Sequence, residues 1–251
     1  MSARVLISAV LLLTATSAQA RVFNINKETF AAYFGVGAGG SQVGTGALDN
    51  EASSSVTYSG TVNYNYTGEF GFIYSRPAAS LRFGFEVLKP TNLEGSSAEN
   101  AGTELYSANS EILGYAPKIA LELNLHGNNT SRSFVSVGVG TASITLKNDY
   151  TLTAAGQAAY PGVADHGIEA KGSATMINAS LGYEGLLTDT TTIVVEFGYR
   201  QLNIDNLEYT KSVTTFKGPV SSGDKVTDIS GGSRDLNLSG GYITLGFRFY
   251  L

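Results

Sequence analysis

The sequence contains no cysteine and no tryptophan, and it has only two histidines and five prolines in 251 residues. The lack of cysteine excludes disulfides, Cys-based zinc sites and thiol nucleophiles. With 16 Lys and Arg against 21 Asp and Glu, the formal net charge is −5, which argues against a nucleic-acid-binding protein, since such proteins usually carry a basic stripe. After residue 20 there is no run of 18 consecutive apolar residues, so no transmembrane helix is predicted there.

Glycine and aromatic residues are abundant instead. The chain has 30 Gly, 14 Tyr and 12 Phe, and its glycine content lies well above the usual value of roughly 7%. Mean hydropathy is nevertheless close to zero. This combination needs a physical explanation, and the pattern of strands supplies one.

The first 20 residues have the layout of a secretory signal peptide. Arg4 precedes the largely apolar stretch Val5–Leu13, and Ala18-Gln19-Ala20 forms a small-x-small end, which predicts cleavage after Ala20. The alternative, an N-terminal membrane anchor, is disfavoured because a spanning helix needs about 20 apolar residues. The predicted mature chain is a single domain, residues 21–251. Loss of Arg4 takes its net charge from −5 to −6.

Alternation with period two recurs along the mature chain. Runs rich in Tyr, Phe, Val, Ile and Thr, separated by Gly, Pro, Asn and Ser, are typical of β-strands. Eight strands are predicted: Phe30–Ala38, Thr61–Ser75, Leu81–Lys89, Glu111–Leu125, Ser133–Leu146, Ala174–Leu187, Thr192–Ile204 and Gly241–Leu251.

The connections between these strands alternate strictly between short and long. Three of them, near residues 76–80, 126–132 and 188–191, have the length of hairpin turns. The other four, roughly 39–60, 90–110, 147–173 and 205–240, are long and rich in small polar residues. Consequently all short turns are predicted at one end of the sheet and all long loops at the other.

The two faces of the predicted strands differ in character. One row is bulky and nearly free of charge, as in Phe70, Phe72 and Tyr74. The opposite row combines glycines with five acids and four bases: Glu69, Arg82, Glu86, Lys118, Glu122, Glu184, Glu196, Arg200 and Arg248. Glycine weakens an outer strand face, whereas inside a narrow eight-stranded barrel it makes room for long side chains.

The bulky row is therefore predicted to face lipid, since water does not tolerate so much exposed apolar surface. The alternative is a soluble, lipocalin-like barrel with the faces reversed and short connections at both ends. The fifth strand departs from the pattern, because Ile144 and Leu146 continue from its polar row. A bulge or a loss of pairing is expected near Thr141.

At the C-terminus, Thr244, Gly246, Phe249 and Leu251 occupy the positions of a polar-x-Gly-x-x-aromatic-x-hydrophobic assembly signal. With its eight strands, the chain resembles the small eight-stranded outer-membrane barrels of Gram-negative bacteria, the OmpA-barrel and OmpX-like group. The resemblance covers essentially all of the mature chain and rests on architecture. Leu251 stands where many members have Phe, and tryptophan, common in the family's interfacial girdles, is absent.

The resemblance implies an all-β, eight-stranded antiparallel up-and-down transmembrane β-barrel in the bacterial outer membrane. The short turns would be periplasmic and the long loops extracellular. Its implied partners are outer-membrane lipid and lipopolysaccharide, with the barrel-assembly machinery and periplasmic chaperones during biogenesis. It further implies a monomer without a cofactor, and an extracellular ligand for the loops remains open.

The sequence contains few candidate motifs for catalysis or cofactor binding. The segment Gly35–Gly40 is glycine-rich, but a dinucleotide-binding loop must open a helix, and here it lies within a strand pattern. His126 and His166 fall in different predicted loops, which disfavours a metal site. Asp165-His166 resembles part of the Asp/His site of an outer-membrane protease. A serine hydrolase needs a Ser with a His within reach, and no such pair is evident. The sequence therefore predicts a non-enzymatic protein.

The nine inner charges can form a plug or line a pore. Because a confined charge is costly unless it is paired, a plug is favoured. The predicted function is envelope structure or interaction through surface loops. The alternatives are a narrow channel for small or hydrophobic molecules, similar to the OmpW-like barrels, and an outer-membrane hydrolase.

Overall fold

The computed structural model describes residues 23–48, 56–228 and 231–251. The predicted signal peptide, with Ala18 and Ala20, lies outside the described residues. The strands are β1 Phe30–Gly44, β2 Thr57–Tyr58, β3 Val62–Ser75, β4 Ala79–Pro90, β5 Leu93–Asn100, β6 Thr103–Gly127, β7 Ser131–Leu152, β8 His166–Leu186, β9 Thr191–Gln201, β10 Asn203–Ile204, β11 Glu208–Tyr209, β12 Val213–Thr215, β13 Gly218–Val220, β14 Leu236–Asn237 and β15 Gly240–Tyr250. The described residues also include a short helix, α1, which spans Ala154–Ala159.

Eight of these strands close into a barrel. Each of β1, β3, β4, β6, β7, β8, β9 and β15 pairs antiparallel with the next, and β15 returns to β1 through pairs such as Val36↔Leu245. The predicted eight-stranded antiparallel up-and-down barrel is thus confirmed. Among the described residues, no helix combines the length and apolarity needed to cross a membrane.

The connections alternate as predicted. Tight turns join β3 to β4, β6 to β7 and β8 to β9, with backbone bonds such as Asn128 N–H to the Ser131 carbonyl at 2.8 Å. We call this the short-turn end. The other four connections meet at the opposite, long-loop end.

The long connections are more structured than expected. Most of the predicted loop 90–110 is the hairpin of β5 and β6, and most of 147–173 belongs to β7 and β8. The intervening helix α1 is capped by Thr153, whose hydroxyl accepts a bond from the Gly156 N–H at 3.1 Å. Three barrel strands therefore continue well past the point at which the sequence pattern placed their ends.

The bulky row faces outward, as predicted. Tyr64, Phe70 and Leu181 are each more than half exposed. On β3 this row runs from Tyr64 to Tyr74, and eleven residues of a strand tilted by about 40° span roughly 25 Å along the barrel axis. Val62 is an exception: it was predicted on the outer row but is buried, because the register between β1 and β3 shifts at Gly40–Gly44.

There is no bulge at Thr141, but the expected loss of pairing near this residue occurs on one side. The ladder between β7 and β8 is continuous through Thr141↔Thr175, and the pairs Tyr115↔Ser143 and Lys118↔Gly140 share one register with β6. Between those two β6 pairs Thr141 has no partner on β6, because Pro117, which stands opposite it, has no N–H to donate. Ile144 and Leu146 stay on the inner row and are fully buried.

The inner row explains why they are buried. At the long-loop end the interior is apolar, and we call this part the upper core: Val43, Leu48, Val62, Leu88, Tyr106, Ile112, Ile144, Leu146, Tyr150, Ile168, Met176, Leu202, Ile204, Leu236 and Leu238. A small second cluster of Phe23, Ile25, Ala31 and Tyr250 lies at the short-turn end. Between the two, the interior is charged.

Candidate functional site: the charged interior

Ten ionisable side chains fill the middle of the barrel, and we call them the lumen network. All nine predicted inner charges lie there, together with Arg132, which the sequence pattern had placed in a turn. Their side chains are at most 11% exposed in the ion pairs they form. Five carboxylates face five cations, so the formal charge of the network is zero.

Arg132 and Glu184 form the layer nearest the short-turn end. Arg132 Nε lies 2.7 Å from Glu184 Oε2, and Arg132 also donates to the hydroxyls of Ser75 and Ser80 at 3.0 and 3.1 Å. Glu184 Oε1 accepts from the Tyr250 hydroxyl at 2.7 Å. The ring of Phe23 packs edge-on against Tyr250, with centroids 5.5 Å apart, so the chain preceding β1 covers this layer from below.

Arg248 and Glu122 form the central pair. The two groups meet in a fork, with Arg248 Nη2 at 2.7 Å from Glu122 Oε1 and Nη1 at 3.0 Å from Oε2. Arg248 Nη1 also lies 2.7 Å from Glu184, which joins the central pair to the layer below. The planar guanidinium matches two carboxylate oxygens at once, so this pairing fixes both side chains.

Arg82 connects the central pair to the upper layers. Its guanidinium forms a two-pronged pair with Glu196, lies 3.4 Å from Glu122 Oε1 and approaches Glu69 at 3.8 Å. Glu196 is also held by the Ser180 hydroxyl at 2.9 Å. One arginine therefore contacts three carboxylates.

Lys118 forms the uppermost layer with two glutamates. Its Nζ lies 2.7 Å from Glu69 Oε2 and 2.8 Å from Glu86 Oε2. Glu86 in turn holds Arg200 at 2.8 Å, and Glu69 accepts the Tyr33 hydroxyl at 2.5 Å. Each of the ten charges thus has at least one opposite charge in contact, which is the condition under which burial of charge is tolerated.

Glycines of the inner row create the space for these side chains. A Cβ atom at Gly84 would collide with the Tyr33 hydroxyl and with Glu69, and one at Gly138 would lie 2.6 Å from Asn178 Oδ1. By contrast, a Cβ atom at Gly68, on the outer side, would meet no other atom within 4 Å. The glycine excess of the sequence is therefore partly a packing requirement of the lumen.

Little empty space remains within the network. A cavity of about 20 Å³ is bordered by Tyr33, Glu69, Arg82 and Glu196, and such a volume holds about one water molecule.

Sequence reasoning missed several members of this interior. Arg132 has an even number, like the inward-facing Ser136 and Gly138, so the alternation would have identified it had the predicted strand begun one residue earlier. Tyr33 and Tyr250 fit the inner row of β1 and β15 by the same rule.

The two histidines lie at opposite ends of the barrel. His126 is exposed beside the turn that joins β6 to β7. The His166 ring packs against Tyr150 in a tilted arrangement and edge-to-face against Phe216, with centroids 5.1 and 4.9 Å apart, while Asp165 accepts the Leu152 N–H at 2.8 Å. In the part of the chain that the structure describes, no three His, Asp or Glu side chains are grouped to hold a metal ion.

The residues of the C-terminal pattern lie on β15 or directly after it. Thr244 and Gly246 are on its inner row, with Gly246 close to the Phe34 carbonyl, whereas Phe249 and Leu251 point outward and are 41% and 60% exposed.

Solved structures with similar topology are outer-membrane proteins. The outer membrane protein OprG from Pseudomonas aeruginosa is 14% identical, with a TM-score of 0.47 over 92% of this chain and 99% of that one. A major outer membrane protein from Thermus thermophilus is 10% identical, with a TM-score of 0.45 over 88% and 99%. Ail, the attachment invasion locus protein of Yersinia pestis, is 9% identical, with a TM-score of 0.42 over 89% and 99%.

The sequence matches no protein-family model and none of the curated proteins. Similarity to the solved structures is too low to transfer a role from any of them. The function must therefore be inferred from the site itself.

Proposed function

We propose that this chain is a non-enzymatic integral protein of the bacterial outer membrane, a barrel with a closed lumen that supports the envelope and presents a rigid surface outside the cell. One observation carries the proposal: an apolar outer belt of membrane height surrounds an interior of fully paired charges. In this orientation the short-turn end is periplasmic and the long-loop end is extracellular.

The outer belt supports insertion into a membrane. Among the residues that the structure describes, 26 large apolar side chains are exposed, and their rows cover all eight barrel strands. A water-soluble monomer rarely exposes contiguous apolar patches above roughly 600 Å². Tyrosines stand at both borders, for example Tyr64 and Tyr66 above and Tyr74 and Tyr183 below, as expected where the belt meets lipid headgroups.

Gel mobility tests the membrane proposal. Outer-membrane fractions run with and without boiling should show a heat-dependent shift, since folded barrels resist detergent unfolding. A mature protein that stays soluble in the periplasm and shows no shift would contradict the proposal. During biogenesis the barrel-assembly machinery and periplasmic chaperones are the expected partners, with Thr244, Gly246, Phe249 and Leu251 as the assembly signal.

Three barriers in series support a closed lumen. Phe23 and Ile25 lie across the periplasmic end, the lumen network fills the middle, and the upper core fills the extracellular half. Charges held in contact with opposite charges do not leave an open path for an ion. The alternative, a narrow channel for small or hydrophobic molecules, requires these layers to separate.

Planar bilayers distinguish the closed barrel from the channel. The purified full chain should produce no discrete conductance steps, with a wide porin in the same bilayers as positive control. Reproducible steps from the unmodified protein would favour the channel.

The extracellular half supports a role as a rigid surface. Phe216, from the connection between β9 and β15, stacks on Tyr106 at a centroid distance of 4.7 Å and packs edge-to-face against Tyr160 at 5.0 Å. The Tyr58 and Tyr106 hydroxyls lie 2.8 Å apart. These contacts tie three connections to one core, so a binding partner would meet a preformed surface. Deletion of residues 212–220 should loosen all three connections, and a surface phenotype that survives removal of every long connection would contradict this role.

A further inference from the structure

One ladder of the barrel differs in kind from the others. Each of the other ladders joins barrel strands that follow one another in sequence, whereas the ladder between β1 and β15 joins strands that are far apart in sequence. We call this ladder the seam. Its middle includes the pair Gly35↔Gly246, where neither strand contributes a side chain. Because no turn or loop connects β1 directly to β15, the entropic cost of bringing them together is high, and additional contacts across the seam are valuable.

Residues 23–28 provide such a contact, and we call them the strap. At the short-turn end, Ala31 and Tyr250 form the lowest inward pair of the seam. Both are buried in one cluster with Phe23 and Ile25, which are 7% and 2% exposed. The Phe23 ring meets the Tyr250 ring edge-on, with centroids 5.5 Å apart. One half of this apolar site belongs to β1 and the other half to β15, so the complete site exists only when the seam is closed.

The other contacts of the strap lie on the opposite wall of the barrel. The Ile25 N–H donates to the Asn129 carbonyl at 2.9 Å. The Asn26 amide donates to the Asn128 carbonyl at 3.2 Å. Both carbonyls belong to the turn between β6 and β7, which lies four strands away from the seam in either direction around the ring. The Asn128 side chain fixes this turn by accepting the Thr130 N–H at 2.8 Å. The strap therefore spans the short-turn end from wall to wall.

Tyr250 carries the contact further into the structure. Its N–H donates to the Thr190 carbonyl at 2.8 Å, in the turn between β8 and β9, and its hydroxyl donates to Glu184 in the lumen network at 2.7 Å. The strap thus packs on the residue at which the seam, a neighbouring turn and the network meet.

We propose that the strap is a latch that holds the seam of the barrel closed. It docks only after β15 has paired with β1, and it must leave before the two strands separate at this end. A group that binds only one of two states shifts the equilibrium towards that state, so the docked strap favours the closed ring. This action on the barrel wall is distinct from covering the lumen.

Hydrogen exchange of backbone amides tests the latch. The mature chain is refolded in micelles, and the amides that bond across the seam are compared with those of β3 and β4. In Phe23→Ala/Ile25→Ala, exchange near the short-turn end of the seam should be roughly tenfold faster or more, because burial of these side chains favours the closed form by at least that factor. Exchange between β3 and β4 should change by less than about twofold. Phe23→Leu, which keeps an apolar side chain, should resemble the unmodified chain.

A second control removes a buried side chain elsewhere. Ile144→Ala acts in the upper core, where Ile144 is fully buried, and it should not accelerate exchange selectively at the seam.

A tether across the seam distinguishes a latch from a space-filling segment. The chain has no cysteine, so an introduced pair reacts alone. Ala32→Cys/Phe249→Cys, joined by a short bismaleimide, links residues that are directly opposite each other in the seam. In this background the strap substitutions should no longer change seam exchange. Tyr183→Cys/Val195→Cys links β8 to β9 in the same way, and there the effect of the strap substitutions should persist.

Unchanged seam exchange in the folded double variant would overturn the proposal. An equal acceleration around the whole short-turn end, including β6 and β7, would also overturn it, because the strap would then only cover the lumen. An effect that survives the seam tether would do the same. Phe23→Ala alone replaces the double variant if the latter shows no heat-dependent gel shift. A folded barrel whose seam does not respond contradicts only this inference and leaves the proposed function intact.

Discussion

The two halves of the barrel interior bury their side chains in opposite ways. In the membrane half, the lumen network places ten charges in mutual contact. In the half at the long-loop end, the upper core consists of residues such as Ile112, Ile144 and Leu146, each at most 2% exposed. The same strands build both halves.

Strand β7 shows what separates them. In the membrane half its outward residues are Val135, Val137 and Val139, and beyond Thr141 they are Ser143, Thr145 and Lys147. Its inward residues change in the reverse sense, from Arg132, Ser136 and Gly138 to Ile144 and Leu146. Polarity therefore inverts across the strand at the point where the surroundings change from lipid to water.

This inversion has a physical cause. Where lipid surrounds the barrel, an apolar side chain is as stable facing the lipid as it is facing the lumen. The polar row can occupy the lumen there only as a paired network. Where water surrounds it, the outer row must be polar and the hydrophobic effect again favours an apolar interior. The half at the long-loop end is thus built like a soluble β-barrel on the same strands as the membrane barrel.

The largest expected effect comes from removing a single charge of the network. Glu122→Ala should lower the free energy of unfolding by about 3–5 kcal/mol, because it leaves Arg248 and Arg82 with one carboxylate fewer in a buried, neutral network. Urea unfolding in micelles, followed by the gel shift, measures the loss. The double variant Glu122→Ala/Arg248→Ala restores neutrality and should recover part of it. Unchanged unfolding of Glu122→Ala would contradict the network, and Arg200→Ala provides a second test.

A cavity in the upper core should cost somewhat less. Ile144→Ala removes a fully buried side chain and should lower stability by about 2–4 kcal/mol. The matched control is Ile177→Ala on the outer belt, where the side chain is 48% exposed and lipid fills the gap. Equal losses for the two variants would show that the upper core is not packed more tightly than the belt.

Overpacking the lumen should have a smaller effect. Gly84→Ala places a methyl group against the Tyr33 hydroxyl and Glu69, and a loss of about 1–3 kcal/mol is expected. Gly68→Ala on the outer side has open space around it and should change stability by less than about 0.5 kcal/mol. A Gly84→Ala protein as stable as Gly68→Ala would mean that glycine is not needed for room in the lumen.

The alternation of side chains between the two faces of each strand was enough to predict the barrel and nine of the ten network members. The alternation assigned each residue to one of two rows. The charge and the side-chain size within each row then indicated whether that row faces the lumen or the lipid. Arg132 was missed because the fifth strand was started at Ser133, one residue too late. The contacts themselves were out of reach: Arg82 and Glu196 are 114 residues apart, and which layers meet depends on the stagger of the strands.

The misassigned part of the pattern is equally informative. Ile144 and Leu146 suggested a bulge or a loss of pairing because one side of a strand was assumed to keep one environment along its whole length. Alternation only states that two faces differ, and it does not say which one is buried. The lengths of the long loops were overestimated for the same reason, because strand extensions with a polar outer row resemble loops in composition.

The smallest expected effect concerns the exposed pair Lys89 and Glu111, just above the belt. The hydrogen bond from Lys89, with the charge of Lys147 beyond it, lowers the pKa of the Glu111 carboxyl from its ordinary value of 4.5. A carboxyl with a lowered folded pKa adds stability above its unfolded pKa and loses it as the pH falls through the folded one. Because the Glu111 side chain is 51% exposed, Glu111→Gln should cost about 0.2–1 kcal/mol at pH 7, and this difference should shrink below pH 4 and in high salt. Unfolding at pH 7 and pH 3.5 measures it. A loss at pH 7 as large as that of Glu122→Ala would mean that water does not reach this pair, which would contradict its position just above the belt.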